Sequence, residues 1–463
     1  MAKSTTSRKT GVEWRVAGWV VRHPGMVAVP GGLAASVIEL GVTATGCVVV
    51  VVAAGVGAWY RGHPRSFDAT AGRWLRAQRR RWSVYVGPRW RRVVRECDVT
   101  RIERGTHAVL VPRLVRVRCA TASIDVLTVA MVAGQKPSVF EERCEELAHA
   151  LGVRRVTVCR VGPGRIALIV ERGDPFPETI PAPEIPEDSR DVDLTALGVG
   201  EDEYGQDFTI RLPGRCLLVA GTMGAGKGSL IWAPLRGIGP MIRDGLVRVW
   251  VIDLKGGMET ARGRALFAEW ASDVTGALRI LRAFRDHMRA RQALLKAARL
   301  RNFTLSVDTP FEWLVIDELA MLSAYADRVE VREAMSLLGE IQTQGRAIGF
   351  GVAAYVQEPT KDIVDTRDLF TERVCLAVTS ASHVDMVLGE GARDRGALAD
   401  QIPLDEDHAG IGFVVAQRSR RITRIRASYV TDEEIDELVA TCAPHTRLTP
   451  VPVVVERPGR EVA

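Results

Sequence analysis

Apolar positions follow three different patterns along this chain. Between Pro24 and Tyr60 they are nearly continuous: Leu40–Trp59 gives about 20 apolar or small residues, enough to cross a bilayer. A shorter run, Met26–Ile38, precedes it and is weakened by Pro30, Gly31 and Gly32. From 84 to 175 the pattern is that of a small α/β module. "HAVLVPRLVRVRC" and "RIALIVER" read as strands. Val139, Phe140, Cys144, Leu147, Ala148 and Leu151 form one helical face, with Ser138 as its N-cap and Gly152 as its stop. From 192 to 430 the apolar residues come in short unbroken runs, "CLLVAG", "VRVWVID", "EWLVIDELAML" and "GFGVAAYVQEP". Such runs suit strands covered on both faces, as in a parallel sheet. Beyond Val430, Thr431 and Glu434 make a capping box for one short helix.

Composition sets boundaries between these regions. The 463 residues allow two or three domains. "DPFPETIPAPEIPEDSRD" is rich in proline and acid and reads as a linker. The expected layout is an N-terminal segment (1–23), a membrane segment (24–60), an Arg-rich stretch (61–83), a small module (84–175), a linker (176–191), the large α/β domain (192–430) and a short helix with tail (431–463). The formal charge of +6 is concentrated in "RWLRAQRRRWSVYVGPRWRRVVREC". That stretch suits a juxtamembrane segment and equally a phosphate-binding surface. Arg15 and Arg22 precede the apolar segment and Arg61 and Arg65 follow it. A helical hairpin with Glu39 at its tip would keep both basic ends in the cytoplasm; a single span would leave one outside. A cleaved signal peptide does not suit a chain whose downstream region must meet cytoplasmic nucleotide. The eight cysteines form no C-x-x-C pair, which gives zinc no spacing signature and suits a reducing compartment.

Candidate chemistry starts at "VAGTMGAGKGSLI". A short apolar strand leads into a glycine-rich loop, and helical spacing follows, which is the context a phosphate-binding loop requires. Gly221, Thr222, Met223, Gly224, Ala225, Gly226, Lys227, Gly228 and Ser229 are the candidate nucleotide-binding residues, for ATP with Mg²⁺. Glycines let backbone N–H groups wrap phosphates, and the lysine neutralises their oxygens. The hydroxyl that normally follows the lysine and meets Mg²⁺ is missing, because residue 228 is glycine. Ser229 or a water would take that place, and a serine at 228 would be expected to bind Mg²⁺-ATP at least as well if it fits. Asp317, at the end of "EWLVID", is the candidate metal residue alongside Ser229. Glu318 would orient the attacking water, and Gln357, at the end of another buried strand, would sense the γ-phosphate. Together these runs predict an α/β fold: a P-loop (RecA-like) motor domain with a mostly parallel sheet, preceded by the membrane segment and the small module.

Several ordered pieces carry a family likeness: "LLVAGTMGAGKGS", "VIDLKGG", "WLVIDELAML", "EIQTQGRAIGFGVAAYVQEP" and "ERVCLAVTSASHVDMVLGEGA". Over about half of the chain, roughly 200–415, they resemble the FtsK/SpoIIIE family of DNA translocases. The whole layout looks like the conjugal transfer proteins of actinobacterial plasmids and integrative elements. The resemblance implies a membrane-anchored, hexameric ATPase with its motor in the cytoplasm, moving double-stranded DNA between cells. It implies that Arg346, in "QGRAIG", is a finger reaching the ATP of a neighbouring subunit. It also matches Arg373 to an interface arginine, while Glu358 stands where the family has arginine. Two other readings are a protein-secretion ATPase of the type VII kind, against which the single loop counts, and a non-motor membrane regulator, against which the Asp317–Glu318 pair counts. The tail after Ser428 is too short for a DNA-reading winged helix.

Overall fold

The computed structural model describes residues 24–103, 107–359, 367–415 and 421–444. The expected N-terminal segment 1–23 and the tail beyond 444 lie outside them. The chain divides into two compact units between Arg76 and Ala77.

In the first unit a helix runs from Pro24 to Gly62, and its backbone breaks at Gly41 (φ 79°, ψ 163°). Glycine tolerates this conformation because it has no Cβ. Among the described residues one segment, Ala34–Gly62, is long and apolar enough to cross a membrane. The sequence suggested two spans joined near Glu39; the structure has one candidate span, with the break falling just after Glu39. The helix ends in an aromatic cluster, where Phe67 meets Trp59 and Tyr60 edge-on at 5.4 and 5.3 Å. Trp59 Nε1 donates to Ser66 Oγ at 2.8 Å.

The second unit begins with the module. A two-residue ladder, β1 (Arg101–Ile102) with β2 (Val109–Leu110), precedes a four-stranded antiparallel sheet. Its strands are β3 (Arg113–Cys119), β4 (Ile124–Ala130), β5 (Arg155–Gly162) and β6 (Arg165–Glu171), in the order β3-β4-β6-β5. The run expected to be one strand, "HAVLVPRLVRVRC", is divided between β2 and β3, and Pro112 falls in the gap. The helical face at 138–151 is also divided. Ser138 is the first residue of a short turn, and the longer helix Cys144–Leu151 follows, stopped by left-handed Gly152 (φ 64°). Trp90, Val93 and Val94 of the helix Gly87–Glu96 pack into the same core as Phe140 and Leu147.

Asp125 organises the module from within. Its fully buried carboxylate accepts from Cys119 Sγ at 2.9 Å, Tyr85 Oη at 2.7 Å, Arg172 Nε at 2.8 Å and from Arg80. Burial alone would raise its pKa, but the hydrogen bonds from Cys119, Arg172, Tyr85 and Arg80 outweigh burial and hold it below the usual carboxylate range. One arginine of the basic stretch, Arg80, therefore serves the module's core.

The large domain is built on a ten-stranded sheet. Its strands are β7 (Leu197–Asp202), β8 (Asp207–Ile210), β9 (Cys216–Ala220), β10 (Val247–Asp253), β11 (Glu269–Ala271), β12 (Phe311–Asp317), β13 (Phe350–Val356), β14 (Glu372–Leu376), β15 (Ile411–Val415) and β16 (Ile422–Ala427). The order is β11-β10-β12-β13-β9-β14-β15-β16-β7-β8. Pairings from β11 to β14 are parallel, and those from β14 to β8 are antiparallel. The apolar runs read as strands are β9, β10, β12 and β13, and every residue of β9, β12 and β13 is buried. Two helices, Val274–Ala297 and Arg328–Gln344, pack together and are laced by forked pairs, Arg282–Glu333 and Arg289–Glu340.

The proline- and acid-rich stretch does not behave as a free linker. Arg426 Nη1 donates to the carbonyls of Phe176 and Glu178, Tyr429 N to Ile180 O, and Arg236 Nε to Pro183 O. The stretch is a strap bound along the large domain. Module and large domain also share a buried ion network. Arg155 pairs with Glu171 and with Glu203, and Arg424 pairs with Glu171 from the large domain.

Candidate functional site

The sheet's parallel part brings the candidate residues to one edge. β9, β12 and β13 are mutual neighbours in the order β12-β13-β9, so the segments leaving their carboxyl ends meet. Those segments are the glycine loop (after Ala220), Asp317-Glu318 and Gln357. This is where open α/β sheets bind ligands.

The loop is tied down at both ends. Gly221 N donates to Val356 O and Thr222 N to Ala377 O, while Gly410 N donates to Ala225 O. Gly224 and Gly226 are left-handed (φ 79° and 86°). A Cβ on Gly226 would stand 2.4 Å from Gly410 N, and one on Gly221 would stand 2.8 Å from the Leu376 Cβ. Both positions therefore require glycine for space as well as for turning. Ala225 is buried and Met223 is exposed. The helix Lys227–Gly237 starts without a side-chain cap, which leaves its N-terminal N–H groups available to an anion. Lys227 Nζ donates to Gly221 O at 2.6 Å and Thr222 O at 3.0 Å, folded back over the loop. Burial, with help from Lys255, pulls the pKa of Lys227 down to about 8. These features fit a nucleotide triphosphate.

Across the loop, Asp317 and Glu318 are both buried. Glu318 is left-handed (φ 61°), an unfavourable conformation for a residue with a Cβ and one that clusters at functional sites. Its Oε1 accepts from the backbone N–H of Gln357 at 3.0 Å. Lys255 Nζ lies 3.0 Å from Glu318 Oε2 and 3.9 Å from Asp317 Oδ2. Burial pushes the pKa of Asp317 up to about 6, against the pull of Lys255 and with the push of Asp253, Glu259 and Glu318. Among the described residues no group of three His, Cys, Asp or Glu side chains could hold a metal alone. A Mg²⁺ held by one or two carboxylates together with phosphates and waters needs no such group.

Ser229 follows Gly228 in the first helical turn, and its N–H donates to Gly226 O at 3.2 Å. The expectation that a serine would fit at 228 meets an obstacle. A Cβ there would stand 2.2 Å from Glu259 Oε1. Neither Glu259 nor Lys255 was singled out from sequence. They share the loop after β10; Lys255 lay within the family-like piece "VIDLKGG", whereas Glu259 had no sequence signal beyond the position of that loop at the end of a buried strand.

Arg346 stands apart from this cluster. It opens a short turn before β13, and its Nε donates to Gly214 O at 3.1 Å, just ahead of β9. Both contacts are at the amino-terminal edge of the sheet, opposite the loop. Arg373, in β14, pairs in register with Leu218 of the loop's strand.

Residues 56–172 match the family model described as the actinomycete conjugal transfer protein N-terminal domain. The chain is 23% identical over 326 residues to the DNA translocase FtsK of Mycobacterium leprae, a match covering 64% of this chain and 37% of that protein. It thus spans little more than a third of that relative's length. Of solved structures, the pCW3 conjugation coupling protein TcpA, in its monomer form with ATPγS, aligns over 76% of this chain and 98% of its own, with a TM-score of 0.50 at 17% identity. The cytoplasmic domain of the Thermomonospora curvata type VII secretion ATPase EccC aligns over 60% and 35%, with a TM-score of 0.45 at 19% identity. The TcpA likeness supports the fold; the family model and the translocase FtsK are what parts of this chain are similar to.

Proposed function

We propose that this chain is a membrane-anchored ATPase that moves double-stranded DNA, works as a homo-hexameric ring and serves transfer of plasmid or integrative-element DNA between cells. The observation that carries the reading is the division of the ATP machinery between two edges of one sheet. Lys227, Asp317, Glu318 and Gln357 gather at the carboxyl edge, while Arg346 is exposed at the amino edge. β9 has five residues, at about 3.3 Å each. An arginine on the far side of that strand does not reach its own subunit's nucleotide. It suits the nucleotide of a neighbour, where a guanidinium stabilises charge on the phosphoryl group in transfer. This makes turnover a property of the ring.

The DNA part of the reading rests on exposed arginines and on the DNA translocase relative. Arg89, Arg91, Arg92 and Arg95 are exposed on the helix Gly87–Glu96, and Arg113, Arg116 and Arg118 are exposed on β3. Such groups bind phosphates whatever the base sequence. The membrane part rests on Ala34–Gly62, whose residues are almost all exposed. ATP binding would use the loop and Lys227. Mg²⁺ would be held near Asp317 and would supply charge neutralisation for the phosphates. The test is the ATPase rate of the full chain in detergent with double-stranded DNA, single-stranded DNA or none. Selective stimulation by duplex is expected; a rate indifferent to DNA contradicts the proposal.

A further inference from the structure

The glycine loop lacks the hydroxyl that usually follows its lysine, and the structure shows what occupies that space. We infer that Glu259 takes the place of this hydroxyl, holding the water shell of the divalent cation that accompanies ATP; the inference rests on the nucleotide-site reading above.

A Cβ built on Gly228 would stand 2.2 Å from Glu259 Oε1 and 3.1 Å from its Cδ. The volume of a serine or threonine side chain at 228 is therefore already taken by a carboxylate. That carboxylate is positioned from the loop's own helix. Trp232, one turn beyond Gly228 on the same face, donates from Nε1 to Glu259 Oε1 at 3.3 Å. The segment that delivers Glu259 is braced as well. Thr260 N and Oγ1 both donate to buried Asp253, at 3.1 and 2.9 Å, and Trp270 Nε1 donates to Thr260 Oγ1 at 3.0 Å. Gly257 is left-handed, and a Cβ there would meet the Trp270 ring at 2.4 Å. The loop after β10 is thus shaped to place Glu259 against Gly228.

Charge points the same way. Lys227 and Asp317 both feel Glu259, so it belongs to their cluster. Asp253, Glu259 and Glu318 all act on Asp317 beside Lys255, so the acids of the two loops share one cluster. Mg²⁺ keeps several of its waters and takes few protein ligands. A carboxylate arriving from a second loop is suited to accept from such waters. Ser229, on the neighbouring position of the helix, points about 100° away from the usual hydroxyl direction. Gly228 and Glu259 then form a pair in which one residue vacates the space the other uses.

The test uses the full chain with ATPγS, with Mn²⁺ as the probe and its free signal read by electron paramagnetic resonance. Glu259→Gln keeps the shape and an oxygen for Trp232 but removes the charge. It is expected to weaken Mn²⁺ binding in the ATPγS complex about tenfold or more, while ATPγS binding in EDTA stays unchanged. The double variant Gly228→Ser with Glu259→Ala should recover most of the affinity, because the hydroxyl then has room. Wild-type Mn²⁺ affinity in Glu259→Gln would overturn the inference. Failure of the natural protein to bind ATPγS in EDTA would overturn the nucleotide site itself, and the inference with it.

Discussion

At the scale of single residues, the site depends on a few side chains whose charges are kept out of water. Lys227 is buried, and its ammonium is satisfied for the moment by two loop carbonyls. A triphosphate offers it a stronger partner, because hydrogen bonds to an ionised acceptor are roughly twice as strong as neutral ones. Lys227→Ala should therefore abolish turnover. Ser229→Ala should cost about tenfold at most, or roughly 1.4 kcal/mol, because its position in the first turn does not direct it to the metal. Steady-state ATPase rates of the two variants check this. A Ser229→Ala variant as inactive as Lys227→Ala would make Ser229 the metal residue. The positions of Asp317, Glu318 and Gln357 at the ends of central strands were legible in the sequence, because each follows a predominantly apolar run and such runs become central strands. Glu259 was not legible. It follows two glycines and a methionine in a loop, and only the fold brings it to Gly228, 31 residues away in the chain.

At the scale of elements, apolar runs translated into strands almost residue for residue, because a strand covered on both faces leaves few polar positions, such as Glu312 in β12 and Arg248 in β10. The errors arose where polar groups found distant partners. The proline-rich stretch looked like a linker because composition does not show that its carbonyls meet Arg426 and Arg236. The module's core acid, Asp125, gave no signal either, since its donors come from three separate segments, around 80–85, 119 and 172. Removing its charge leaves the half-buried Arg80 and Arg172 without their carboxylate, so Asp125→Asn should cost roughly 2 kcal/mol. The pH dependence has a definite sign. A carboxylate with a lowered folded pKa contributes stability that is present above its unfolded value, near 3.9. That stability is lost as pH falls through the lower, folded pKa. Thermal melting should therefore show the natural protein losing stability below about pH 4, with a smaller loss in Asp125→Asn. Equal acid sensitivity in both would show that Asp125 is not the group responsible.

At the scale of the whole molecule, the proposed ring places Arg346 on the neighbour's nucleotide, and on that reading a lone subunit is incomplete as a catalyst. Arg346→Ala should keep ATPγS binding and lose nearly all hydrolysis, and Glu318→Ala should do the same. Mixing the two inactive variants should restore part of the activity, because some interfaces then pair an intact arginine with an intact carboxylate. No recovery at any mixing ratio would place Arg346 outside the neighbour's site.

The central claim is that hydrolysis moves the protein along duplex DNA. Displacement of a fluorescent third strand from triplex DNA measures that movement directly. The natural protein should release the third strand only with ATP, more slowly as the duplex track lengthens, and Lys227→Ala should release none. Duplex-stimulated hydrolysis with no strand release would contradict it.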